Sequence, residues 1–241
     1  MRHDLTAHIW AAVESLITSI LPLPACARVS LGPVRQAAAS AIPAVLEDLE
    51  ALAARDSAAR DGPDYVWSSY LSLRALLAYR VAHAIYRLGL PAHEESQANA
   101  DIACVARFIA EEAKARTGVE IHPAAFIGRR MVIDHGWGTV IGEQARVGDD
   151  CYFLQNVTLG CRRIGTPYGT DERRHPTIGN RVVLAGDVWV FGPVTIGDDC
   201  RIDPGARITT DVPAGAHVRV VTKLQVTEFA GQLSPSGSAA P

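Results

Sequence analysis

From Ile121 to Ile208 an apolar residue returns every six positions, a period that fits neither an amphipathic helix nor simple strand alternation. The starts are Ile121, Ile127 and Ile133, then Ile141, Val147, Phe153 and Leu159 after a slip of two. Thirteen extra residues intervene before Ile178, Leu184, Val190, Ile196, Ile202 and Ile208. A glycine often follows, as at Gly128, Gly142, Gly148, Gly160, Gly179 and Gly197. Such a period fits a solenoid in which each hexad is one short strand plus a corner, and three hexads close one turn. Each start then points inward and stacks on its equivalent about eighteen residues on, one strand spacing of ~4.8 Å away. The small residue behind it keeps the corner tight.

Residues 1–118 read as helices, so the chain is α+β: a helical domain, a parallel β-helix over 119–215 and a tail over 216–241. Leu5, Ile9, Val13, Leu16 and Ile20 recur at helical spacing until Pro22 and Pro24. A second helix is expected from Val34 to Ala59, interrupted at Pro43, and a third from Tyr65 to Leu88. A fourth runs from Glu94 to Arg116, closed by Gly118. Trp67, Tyr70, Tyr79 and Tyr86 read as core or interface packing. Gln225 to Gly231 is a candidate short helix, and Ser234 to Pro241 a loose tail.

A net charge of -3 without a basic stripe argues against nucleic acid as the main partner. No apolar run is long enough to span a bilayer. The run from Leu16 to Ala27 ends in Ala25-Cys26-Ala27, but Asp4 and Glu14 stand where a signal peptide carries cations and apolar residues. Five scattered cysteines without a CxxC pair point to a reducing, cytoplasmic setting rather than a disulfide scaffold.

Polar residues interrupt the hexads at three places: Glu120-Ile121-His122-Pro123, Asp134-His135-Gly136 at the slip, and Arg173-Arg174-His175-Pro176 after the long break. Glu120 and His135 are fifteen residues apart, close to one coil, which predicts a shared corner one layer apart. A carboxylate beside an imidazole fixes its tautomer and stabilises the imidazolium, so the pair can deprotonate a hydroxyl attacking an activated acyl group. His122 reads as a corner residue.

The stretches Ile121-His-Pro-Ala-Ala-Phe-Ile-Gly-Arg, Ile133-Asp-His-Gly-Trp-Gly-Thr-Val-Ile-Gly-Glu, Gln155-Asn-Val-Thr-Leu-Gly and Arg174-His-Pro-Thr-Ile-Gly resemble the serine O-acetyltransferase family. Order and spacing match from about Asp56 to Asp211, and the helical domain shares Asp56-Ser-Ala-Ala-Arg and Ala78-Tyr-Arg-Val-Ala-His. The resemblance implies the left-handed winding of hexapeptide-repeat proteins. It also implies acetyl transfer from acetyl-CoA to the hydroxyl of L-serine, giving O-acetylserine for cysteine synthesis, with no metal. Under it His135 is the general base and Glu120 orients it. Asp56 and Asp134 hold the substrate ammonium, and Arg174 and His175 hold its carboxylate. Gly160, Ala185, Gly186 and Pro204 line the CoA groove. The family assembles as trimers or dimers of trimers with sites between subunits, so His135 and His175 are expected from different chains. The family's complex with cysteine synthase uses a terminal Ile; this sequence ends in Ala240-Pro241, and that complex is not expected.

The sequence departs from the family pattern around the groove. Cys161-Arg162-Arg163 follows Leu159-Gly160, Asp187-Val188-Trp189 replaces a Gly-Ala-Lys corner, and Pro204 replaces a small residue. His217-Val-Arg-Val-Val-Thr-Lys stands where the closing motif belongs, and Arg74 where His is usual. These changes leave the base and the amino-acid clamp in place and bear on the acyl donor. Two other readings stand beside serine acetylation: acylation of another small hydroxylated amino acid in a specialised pathway, or a non-catalytic hexapeptide-repeat assembly protein with a blunted CoA groove. A three-His zinc hydratase on the same solenoid would need His122, His135 and His175, but its His-x4-His pair is absent.

Overall fold

The computed structural model describes residues 2–59, 62–89, 96–163, 173–221 and 225. Helices α1 (Arg2–Ile20), α2 (Leu31–Ser40), α3 (Ile42–Arg55), α4 (Pro63–Ser69), α5 (Leu71–Tyr86) and α6 (Gln97–Thr117) precede a left-handed β-helix. Among the described residues its strands run from Glu120–Ile121 to His217–Val218, each two or three residues long. They stack into three parallel sheets, the faces of a prism. Face one carries Glu120–Ile121, Val140–Ile141, Thr158–Gly160, Trp189–Phe191 and Arg207–Ile208. Face two carries Phe126–Ile127, Arg146–Val147, Thr177–Ile178 and Thr195–Ile196. Face three carries Val132–Ile133, Tyr152–Phe153, Val183–Leu184, Arg201–Ile202 and His217–Val218.

All thirteen hexad starts are buried, none more than 7% exposed. Register follows the hexads: Ile127 pairs with Val147, Phe153 with Leu184, Leu159 with Val190 and Val190 with Ile208. Ile121 pairs with Ile141, because the two-residue slip is absorbed in one corner and the core ladder stays in step. The last strand lies beyond the expected end at residue 215, since Arg201↔His217 pairing adds one more layer. The expected 225–231 helix, apart from Gln225, and the tail lie outside the described residues.

The edge between faces two and three explains why Gly follows the start there. At Gly128, Gly148 and Gly179 a Cβ would come within 2.3–2.6 Å of the Asp149, Asn180 or Asp198 Oδ1 of the next coil. Those oxygens accept the Arg129, Asp149 and Asn180 N–H groups at 2.8–2.9 Å. Arg130, Asp150, Arg181 and Asp199 turn the corner with φ of 55–60°, and Arg130–Asp150 and Arg181–Asp199 pair between neighbouring coils.

Helix α5 plugs the open end of the prism. Ala75, Leu76 and Tyr79 join the β-helix core. Tyr79 donates to Ala125 O at 2.7 Å and accepts from Ile127 N–H at 3.0 Å. Arg80 donates to Ile127 O and Gly128 O at 2.6 Å and pairs with fully buried Asp48 at 2.9 Å. These bonds satisfy the first coil's exposed carbonyls, which would otherwise be orphaned.

Two expected helices are each broken in two. The second breaks at Ala41, ahead of Pro43, and ends at Arg55 rather than Ala59. Pro43 sits in the first turn of α3, where its missing N–H costs nothing. The third breaks at Tyr70, which is extended (φ -95°, ψ 112°) without Gly or Pro at the break. The fourth ends as expected: Gly118 at φ 70° donates its N–H to Lys114 O.

Candidate active site

The two extra residues at Ile133–Ile141 widen the edge where face three turns into face one. His135, Gly136 and Gly138 have φ of 58°, 76° and 78°. Only glycine fits at Gly136, where a Cβ would meet Ile133 Cγ2 at 2.7 Å. The bend turns His135 outward, its side chain 71% exposed, while neighbouring Asp134 is only 13% exposed. Asp134 Oδ1 lies 3.9 Å from His135 Nε2, beyond hydrogen-bond reach. Asp134 Oδ2 accepts from Tyr152 OH at 2.8 Å. Asp56, at the end of α3, accepts from Tyr70 OH at 2.5 Å. Asp56 from the helices and Asp134 from the first coil lie close enough that each of Tyr70 and Tyr152 feels the charge of both.

The expected Glu120–His135 pair is not formed within the chain. Glu120 pairs instead with Lys114 at 2.5 Å and Arg107 at 3.3 Å, both on α6. Partial burial opposes its ionisation, but those two cations hold its carboxyl below the usual range. The fifteen-residue spacing brought the two within one coil, but the slip turns His135 out at the edge and α6 docks beside face one. The carboxylate nearest His135 is therefore its neighbour, Asp134.

Arg174 and His175 lie on a different edge, between faces one and two. Arg174 N–H donates to Gln144 Oε1 at 2.9 Å, and its guanidinium binds Glu143. The His175 ring is buried, 7% exposed, and seated on Gly142, where a Cβ would meet it at 2.2 Å. Burial, then the Arg174 charge, push its pKa down to about 4. Its Nδ1 is buried without a hydrogen-bond partner among the described residues. His122 shares this edge as the corner residue expected, its Nδ1 accepting from Ala124 N–H at 3.1 Å, and burial lowers its pKa too. The residues expected at the site thus fall into two clusters on two edges, and no metal-binding group of three His, Cys, Asp or Glu occurs among the described residues.

No protein-family model matches the chain. It is 38% identical over 183 residues to the serine acetyltransferase of Helicobacter pylori strain J99, spanning 73% of this chain and 95% of that protein. With the serine acetyltransferase of Mycobacterium tuberculosis H37Rv it shares 37% over 171 residues, 71% of this chain and 67% of that one. The chain belongs to the serine acetyltransferase family. Among solved structures, isoform 3 from Entamoeba histolytica in complex with cysteine superposes with TM-score 0.69 at 28% identity, over 94% of this chain and 74% of that one. The Neisseria gonorrhoeae serine acetyltransferase in complex with serine gives 0.66 at 30%, over 78% and 71%.

Within this family member, the residues expected at the CoA groove divide between the edges. Ala185, Gly186 and Pro204 stand on the His135 edge, two and three coils further along, in a track held by Ala185 N–H to Ile202 O at 3.0 Å and Gly205 N–H to Gly186 O at 3.1 Å. A Cβ on Gly186 would strike the Gln155 amide at 2.5 Å. Gly160 ends a strand of face one, against the Phe191 ring. The departures from the family pattern gather beside it. Arg207 lies 4.5 Å over the Trp189 ring, Phe191 meets that ring edge-on, and Arg162 bonds Phe191 O and Thr209 O. Trp189 is thus covered on one face by this chain's own guanidinium, as packing requires. Arg74, the helical departure, stacks on Trp67 at 3.6 Å and donates to Trp67 O.

Sequence reasoning missed Tyr70, read as packing, and Tyr152 and Glu143. One signal was available: each start's preceding residue points outward, so Tyr152 before Phe153 had to face Asp134's side of the prism.

Proposed function

We propose that this chain transfers an acetyl group from acetyl-CoA to the hydroxyl of L-serine, giving O-acetyl-L-serine and CoA, the opening step of cysteine synthesis. The observation that carries this reading is the outward His135 beside Asp134, on an edge continuous with the Ala185–Gly186–Pro204 track. His135 takes the hydroxyl proton as the serine oxygen attacks the thioester carbonyl, and returns it to the departing sulfur. Asp134 and Asp56 receive the serine ammonium. Arg174, with a planar fork suited to a carboxylate, and His175, its ring neutral above acid pH, receive the carboxylate.

Those two groups sit on a different edge from His135, so the site is completed by a neighbouring copy. We therefore propose a homotrimer, or a dimer of trimers joined through the helical domain of residues 1–118. Glu120 is not assigned to the base. The Neisseria gonorrhoeae relative crystallised with serine supports the choice of acceptor. The cysteines described are unpaired, in keeping with a cytoplasmic setting. No helix among the described residues is long and apolar enough to cross a membrane.

The test is thiol release from acetyl-CoA on adding L-serine. Serine-dependent release is expected. Release only with another hydroxy amino acid moves the acceptor; the altered face around Trp189 and Arg207 bears on the acyl donor instead. No release with any acceptor and no heat of CoA binding would leave an assembly protein.

A further inference from the structure

Asp56 and Asp134 each have one carboxylate oxygen held by a phenol from elsewhere in the chain, at 2.5 Å from Tyr70 and 2.8 Å from Tyr152. The four groups form one constellation, since Tyr70 also feels the Asp134 charge and Tyr152 that of Asp56. Both phenols keep their protons and so stay donors. The bond to Asp56 pushes Tyr70 up to about 12, and burial followed by the bond to Asp134 raises Tyr152.

Other contacts fix the two rings. Tyr70 sits in the extended break between α4 and α5, although neither Gly nor Pro stands there. That break aims its hydroxyl at Asp56. Arg55 lies 4.9 Å over the Tyr152 ring and donates to Asp150 O at 2.9 Å, fixing that ring from outside. Asp56 Oδ1 also accepts from Ala58 N–H at 2.8 Å. With an oxygen tied, each carboxylate is fixed about its Cβ–Cγ bond and its remaining lone pairs have set directions. Two like charges share the site, the phenols that hold them are neutral, and Arg55 is engaged with a ring and a backbone carbonyl. The charge left over suits one compact cation.

We propose that Tyr70 and Tyr152 are the positioning residues of the acceptor's ammonium site. By holding Asp56 and Asp134 they make the enzyme select a hydroxyl compound that carries a primary ammonium. The proposal rests on the serine acetyltransferase reading of this edge. It also gives the helical domain half of the acceptor site, in the same chain as His135.

The experiment compares Tyr152→Phe and Tyr70→Phe with the parent, using L-serine and 3-hydroxypropanoate as acceptors. Each variant removes one donor and keeps the ring. KM for L-serine is expected to rise about 10-fold in each, with kcat and KM for acetyl-CoA little changed. The preference for L-serine over 3-hydroxypropanoate falls by the same factor. An unchanged KM for serine in both variants overturns the proposal, as does a parallel rise in both KM values. If Tyr70→Phe fails to fold, Tyr152→Phe decides alone. Calorimetry with L-serine separates this idea from the parent reading. No serine binding by the unsubstituted protein sinks both, whereas equal binding by parent and variants sinks only the role of the phenols.

Discussion

The two edges proposed to carry the reaction hold the same side chain in opposite surroundings. His135 stands on a widened corner with most of its ring in solvent, and its nearest carboxylate is too far to bond it. His175 is sunk against Gly142, with its pKa lowered to about 4 and one nitrogen without a hydrogen-bond partner among the described residues. A ring that must take up and release a proton needs access; a ring that only donates a hydrogen bond is better kept neutral and fixed. Two insertions accompany the difference. Two residues at the slip push His135 out; the second insertion follows Leu159 in the sequence, ahead of His175, which is seated on Gly142.

The sharpest way to break this comparison is to remove each ring's edge in turn. His135→Ala is expected to lower kcat for serine by a factor of about 100 to 10,000, the span usual for a general base. Wild-type turnover in that variant would end the assignment. Arg174→Ala removes the fork at the other edge and is expected to raise KM for serine roughly 10- to 100-fold, with a smaller effect on kcat, as for one charge-assisted hydrogen bond. A kcat loss as large as that of His135→Ala would mean that the edges do not divide the work this way.

The buried ring also predicts a pH dependence of stability. An unfolded histidine titrates near its ordinary 6.5, and His175 in the fold near about 4. Between those values the unfolded state binds the extra proton, so stability falls as pH drops through that window and is complete above it. Arg174, Glu143 and His122 face the ring, and His122 shifts in the same direction. The melting temperature should therefore decline from pH 6.5 to pH 4, and His175→Gln should flatten part of that slope. An identical slope in the variant would remove His175 from the account.

The thirteen inward starts were legible because a buried ladder tolerates few residue types, and its period survives two insertions. Asp56, Asp134, Arg174 and His175 stand out in the sequence as polar interruptions or through the family pattern, and their roles rest on the proposed function. The partner of Glu120 was not legible, because it depends on where α6 docks, a contact between elements that no local spacing encodes. Nor was the break at Tyr70: no turn residue marks it, and the bond its hydroxyl makes reaches a carboxylate fourteen positions earlier.

The remaining edge, between faces two and three, serves as the control. It carries no group assigned to the reaction, and its glycines are held by the next coil's backbone and side chains. In Gly148→Ala the new methyl would sit 2.6 Å from Asn180 Oδ1 and 2.7 Å from the Gly179 backbone. Backbone cannot yield as a flexible side chain does, so the coils must separate locally, at a cost of about 1–3 kcal/mol. For a chain of this size that lowers the melting temperature by roughly 2–4 °C per kcal/mol. KM for serine should stay within experimental error, because the clash falls at the edge between faces two and three, one strand along the same coils from Gln144 and Arg174 at the clamping edge. A rise in KM as large as that of Arg174→Ala would show that the three edges move as one body, and that the division between a proton-carrying edge and a clamping edge is not local.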